Sequence, residues 1–148
     1  MKKIVKILGC SLLYISSHSS AMEATIEGNS WNGKIIPKGQ QCNRFGGDAT
    51  TPPITIKNLP KDANFIVMSY NDINAASMNN GGHGILGYAV NQSKGSINIP
   101  KVPGHTFDLP RGFNSIQPHL APNWDTAGSY MPPCSGGGVL FDFKYCFG

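Results

Sequence analysis

Long apolar runs, clusters of basic residues and helical periodicity are all missing from this 148-residue sequence. The longest mostly apolar stretch, residues 7–15, falls far short of the ~20 residues that a bilayer span needs, so no transmembrane segment is expected. No stretch keeps an apolar spacing of 3.6 residues over three turns, which argues against a helix bundle. Charge is sparse as well: Asp, Glu, Lys and Arg make up only 14% of the chain. Beyond residue 21 the basic side chains stand singly, so the basic patch with aromatic platforms that a nucleic-acid binder wants is not found. Two catalytic signatures are also missing, the strained-turn G-x-S-x-G and the helical H-E-x-x-H.

The amino-terminal segment has its own character. Lys2, Lys3 and Lys6 precede the apolar run, and a small polar tail ends at Ala21, with Ser19 and Ala21 suited to a signal-peptidase site. This reads as a cleaved secretory signal over 1–21, leaving a single domain over 22–148 and a periplasmic or secreted location. The triplet Leu8-Gly9-Cys10 stands too early for a lipoprotein signal. Without residues 1–21, nine Lys and Arg face eight acids, a net charge of +1, so the overall basicity belongs mostly to the leader.

Cysteine is scarce: Cys42, Cys134 and Cys146 are the three beyond the leader. In an oxidising compartment an odd count implies one bridge and one free thiol. Cys134 and Cys146 flank an apparent strand whose rise of ~3.3 Å per residue holds its ends apart, so Cys42–Cys134 is the expected pair. Zinc is disfavoured because no cysteine has a second ligand at close spacing.

What the sequence does hold is short strands between Gly, Pro and Asn clusters, and it reads as one mainly β domain. Residues 24–31 and 54–59 alternate with period two. Residues 64–70 (NFIVMSY) are apolar on both faces, as in a central strand, and 83–90 and 95–99 follow. The stripe Val139, Phe141, Phe143, Tyr145, Phe147 marks a last strand with a core face. Between Pro100 and Gly138 the prolines forbid long helices and central strands, while Phe107, Phe113, Trp124 and Tyr130 argue for order. An ordered surface belt with a turn or two of helix over 119–127 is expected there, His105 and His119 being surface histidines and Trp31 and Trp124 packed aromatics.

The order of partial motifs in IPKGQQCNRFGGDATTPPITIKNLPKDANFIVMSYNDIN (36–74) resembles the phosphatidylethanolamine-binding protein family, in its bacterial Raf-kinase-inhibitor-like branch. Ile36-Pro37, Cys42, Gly46-Gly47, Thr51-Pro52-Pro53, Leu59-Pro60 and Asp72-Ile73-Asn74 stand where that branch has Ile-Pro, Cys, a Gly-rich segment, Ser-Pro-Pro, a turn and Asp-Pro-Asp. His83-Gly84 takes the place of a His-Trp, and YMPPCSGGG (130–138) is similar to the family's Tyr-x-Gly-Pro-Cys-Pro-Pro loop. A His-Arg-Tyr of the family corresponds here to Val139-Leu140-Phe141, and family members run on past the last strand. The resemblance covers roughly 34–147. It implies an antiparallel β-sandwich-like single domain with long ordered loops and few short helices, and a small anion pocket at one end of the strands. It carries Asp72 and His83 into that pocket, and Tyr130, Pro133 and Cys134 into the proline-rich loop beside it.

Two adjacent antiparallel strands would bring Asp72 and His83 to the same sheet edge. A carboxylate beside an imidazole favours the imidazolium, and the backbone amides of NNGGHG (79–84) would add donors to an anion. The plainer alternative makes Asp72 a turn residue bonded to its own backbone two residues on. The expected function is an exported, non-catalytic binding protein for a small anion or phospholipid head group, with no cofactor. An interaction or inhibitor module acting through the proline-rich surface on another protein is the alternative. A hydrolase, with Asp72 and His83 as a general base pair or joined by His105 and Asp108 as metal ligands, ranks below both.

Overall fold

The computed structural model describes residues 21–27, 36–90, 95–123, 126–134 and the backbone of 141–147. The leader expected over 1–21 therefore lies almost wholly outside the described residues, as do Trp31, Trp124 and the side chains of the 139–147 stripe.

The described residues form seven strands: β1 (Glu23–Ile26), β2 (Ile54–Lys57), β3 (Phe65–Asp72), β4 (Ile85–Ala89), β5 (Ser96–Ile99), β6 (Phe113–Gln117) and β7 (Phe141–Phe147). They make two antiparallel sheets, one of three strands in the order β1-β2-β5 and one of four in the order β6-β4-β3-β7. The only helical pieces among the described residues are 3-10 turns at Asn43–Phe45 and Ala76–Met78. The chain is thus mainly β and sandwich-like, with long ordered loops.

The period-two pattern explains the layers. Ile54, Ile56 and Ile99 from the first sheet and Ile66, Met68, Tyr70 and Leu86 from the second are all buried and belong to one apolar cluster, which Val102, Phe113 and Tyr130 complete. β3, apolar on both faces in sequence, is indeed central, flanked by β4 and β7. Its burial alternates until Tyr70 and then stops alternating: Asn71 and Asp72 are both buried. At that end of the strand, chain covers both faces of the sheet.

The proline-rich belt differs from expectation in three ways. Phe113–Gln117 is a strand, tolerated because β6 is an edge, paired only to β4, with Pro110 and Pro118 outside its ladder. The described residues within 119–127 form turns and no helix. His119, expected at the surface, is 4% exposed. Its Nε2–H donates to the Thr126 carbonyl (2.9 Å) and its Nδ1 accepts the Ala121 amide (3.3 Å), so the ring is a buried internal brace.

The Cys42–Cys134 disulfide is formed, with Cα atoms 5.2 Å apart and a sequence separation of 92 between the partners. Beside it the Cys42 amide donates to the Pro133 carbonyl at 3.0 Å. A bridge closing so long a loop restricts the unfolded chain strongly. Replacing both cysteines by alanine should lower unfolding free energy by about 3–4 kcal/mol, measured by urea denaturation without reductant; an unchanged midpoint would mean that the bridge does not contribute.

Candidate functional site

The candidate site is built where β3 ends. β3 and β4 pair antiparallel, with Ser69 opposite Ile85, so the loop between them returns to its own starting edge. Asp72 and His83 stand at its two ends. Asp72 Oδ1 accepts the Asn74 amide at 2.9 Å, the turn reading of this residue, while the same carboxylate lines a cavity. Both readings hold together.

The loop is anchored at its centre by Asn71, a residue that sequence reasoning passed over. Its side chain is fully buried, and its Oδ1 accepts the Gly81 amide. Gln117 Nε2 donates to the Gly81 carbonyl (3.0 Å) and the Leu120 amide to the Gly82 carbonyl (2.9 Å), tying the loop to the belt. The signal for Asn71 was a polar residue inside an otherwise apolar strand, and such residues are buried only when they bond.

This internal bonding corrects the expected anion cradle. Within 79–84 the amides of Asn80, Gly81, His83 and Gly84 donate to Asn79 Oδ1, Asn71 Oδ1, the Tyr70 carbonyl and the Gly81 carbonyl respectively. They hold the loop and are not presented to a ligand.

His83 is clasped by the proline-rich segment. Its carbonyl accepts the Met131 amide (2.9 Å), and its ring Nδ1 lies 2.7 Å from the Met131 carbonyl. A carbonyl only accepts, so the proton is on Nδ1 and the lone pair of the neutral ring is on Nε2. Gly84 makes the close approach possible: at φ 117° a Cβ there would stand 2.2 Å from the Ser129 carbonyl oxygen. That backbone has no room for a side chain.

A cavity of about 350 Å³ opens between these pieces. Asp72, Ser77 and His83 supply its polar wall, and Met78, Met131, Ala75 and Ala121 its apolar wall, with Cys134 at the disulfide border. Of the five sequence-predicted binding residues, three therefore converge: Asp72, His83 and Cys134. Tyr130 is fully buried in the core, its ring 4.8 Å from that of Tyr70 and tilted 60° to it, and Pro133 is not among the lining residues. Burial in that core, with Tyr70 and Asp48 adding to it, raises the Tyr130 phenol well above 10, so it stays neutral. A second hollow of about 440 Å³ lies by Glu27, Tyr88 and Asn98, and it contains none of the predicted residues.

The charge expected on His83 is reversed. The ring is 3% exposed, and burial pushes its pKa below 6.5; the bond to Met131 and the charge of Asp72 pull upward, His119 pulls further down, and burial wins. At neutral pH the cavity thus faces its ligand with a carboxylate and a neutral imidazole.

These features define a class: a two-sheet antiparallel β protein with a disulfide-bordered cavity at one sheet end. No family model matches the chain, and neither a curated protein nor a solved structure is detectably similar to it.

A depressed folded pKa has a definite consequence for stability. Between the folded value and 6.5 the unfolded chain binds more protons on this ring, so the His83 contribution is full above about pH 6.5 and is lost as the pH falls through that window. Urea denaturation at pH 7.5, 6.5 and 5.5 should show falling stability, and His83→Gln should flatten the slope; an identical slope in the variant would refute this assignment.

Proposed function

We propose that this chain is an exported, non-catalytic binding protein of the phosphatidylethanolamine-binding type, whose cavity takes a small phosphate-bearing head group. The observation that carries this reading is the convergence of Asp72 and His83 on one cavity with a methionine-lined apolar wall. A carboxylate beside a neutral base suits a zwitterion better than a bare anion. The carboxylate faces the ammonium end of the head group, the neutral ring adds no opposing charge there, and Met78 and Met131 cover the attached carbon chain. The leader-like residues 1–21 support export, and so does the disulfide, which persists in oxidising compartments.

A second reading has its own observation. Phe107, Ile116 and Leu120, 60%, 50% and 56% exposed, all fall in the proline-rich belt. Exposed large apolar groups on an ordered loop fit a surface that contacts another protein. The head-group reading ranks first because it uses the buried residues as well.

Titration with phosphoethanolamine, followed through the His83 ring and Met131 amide signals by NMR, should give saturable shifts in the millimolar range or below. Inorganic phosphate should bind more weakly. Asp72→Asn should weaken phosphoethanolamine binding by about tenfold or more, the value of one charge-assisted contact, and leave phosphate nearly unaffected. Unmoved His83 signals at saturating phosphoethanolamine would overturn the proposal.

A further inference from the structure

We propose that the mouth of this cavity docks on the surface of a phosphatidylethanolamine bilayer, with Ile73 and Leu120 entering the lipid at its rim. The inference rests on the head-group reading and names where that head group comes from. Five large apolar side chains are exposed among the described residues: Phe45, Ile73, Phe107, Ile116 and Leu120. Single exposed groups of this kind are ordinary on a soluble protein. Two of them, however, adjoin the cavity. Ile73, 46% exposed, follows Asp72 directly, and Leu120, 56% exposed, directly precedes Ala121. Asp72 and Ala121 both line the cavity.

Both residues are held in place by main-chain bonds. Asp72 Oδ1 accepts the Asn74 amide at 2.9 Å, closing a tight turn with Ile73 at its tip. The Leu120 amide donates to the Gly82 carbonyl at 2.9 Å, which fixes Leu120 against the same loop, one residue before His83. Each is thus an exposed apolar group on backbone that is bonded at the cavity wall. Size supports the same reading. About 350 Å³ holds a head-group-sized molecule, not two long acyl chains beside it. A lipid whose head group enters must leave its chains outside, so the mouth has to meet the bilayer surface. Charge selects the kind of surface. The stretches framing the mouth, residues 63–90 and 112–134, contain Asp72 and Asp125 and no Lys or Arg. Anionic membranes attract clusters of basic residues, and these stretches have none. An ethanolamine lipid instead offers an ammonium to the Asp72 carboxylate, while the two aliphatic side chains add binding in proportion to the apolar area they bury in the interface.

Flotation of the secreted protein with vesicles of defined composition tests this, its amino terminus being verified by mass spectrometry. Vesicles of equal parts phosphatidylcholine and phosphatidylethanolamine should carry the protein up the gradient. Phosphatidylcholine alone, or mixed with phosphatidylglycerol, should not. Glycerophosphoethanolamine, the head group without its chains, probes the cavity separately by NMR. Replacing both exposed groups, Ile73→Ser with Leu120→Ser, should weaken vesicle binding by about tenfold or more. It should leave glycerophosphoethanolamine binding unchanged, because neither side chain lines the cavity. Glycerophosphoethanolamine binding without flotation on ethanolamine vesicles would overturn the docking inference and spare the head-group reading. Flotation of the double variant equal to that of the parent, or equal flotation on phosphatidylcholine alone, would overturn it too. Binding of neither probe would remove the head-group reading, and the docking inference with it.

Discussion

One clasp governs this molecule: the two-way bonding between His83 and Met131, in which one main chain gives an amide to the other's carbonyl and the imidazole gives a second proton to the Met131 carbonyl. The residues joined are 48 apart. Around the clasp the same short segment is held again and again. The Ser129 amide donates to the Thr106 carbonyl, the His105 amide to the Tyr130 carbonyl and the Cys42 amide to the Pro133 carbonyl, and the disulfide ties its end. Pro132 and Pro133 bring no amide to be satisfied, so this buried stretch meets its polar obligations with few donors. Each neutral bond is worth only about 1 kcal/mol net. The order of the segment therefore comes from their number and from the burial of Tyr130 and Met131.

Much of the architecture was legible because it depends on local pattern. The apolar-on-both-faces stretch at 64–70 became the central strand, and the alternating stretch at 54–59 and the strand expected at 95–99 became neighbours in the smaller sheet. Strand geometry set aside only Cys134–Cys146; Cys42–Cys134, the preferred pair of the two that remained, is the one formed. β6 escaped because only its first residue, Phe113, is buried, and the next three are exposed, so no alternation announces it. His119 escaped because its burial depends on a carbonyl at Thr126 and an amide at Ala121 that only the folded belt brings to its ring.

The site was half legible for a related reason. Placing Asp72 and His83 on one sheet edge needs only an antiparallel connection, which sequence supplies. The protonation of His83 needs knowledge of what covers it, and that cover comes from residues 129–134. Considering Asp72 alone predicts a raised imidazole pKa, whereas desolvation by the covering segment reverses the sign. In the same way, glycines in 79–84 suggested amides open to an anion, but the amides of Asn80, Gly81, His83 and Gly84 are taken up within the protein, that of Gly81 by the buried Asn71 side chain.

That reversal changes which ligands the cavity accepts. An imidazolium beside a carboxylate is a closed pair, each satisfying the other, with little left for a guest. A neutral ring beside a carboxylate leaves a net negative charge on a cavity otherwise lined by methionine and alanine. On the head-group reading proposed above, the guest that gains most there carries a positive group, an ammonium on a short carbon chain. A guest that is purely anionic must first bring a proton to His83, against the burial that lowers its pKa. The clasp that closes the fold at this end is thus also what sets the charge of the cavity wall.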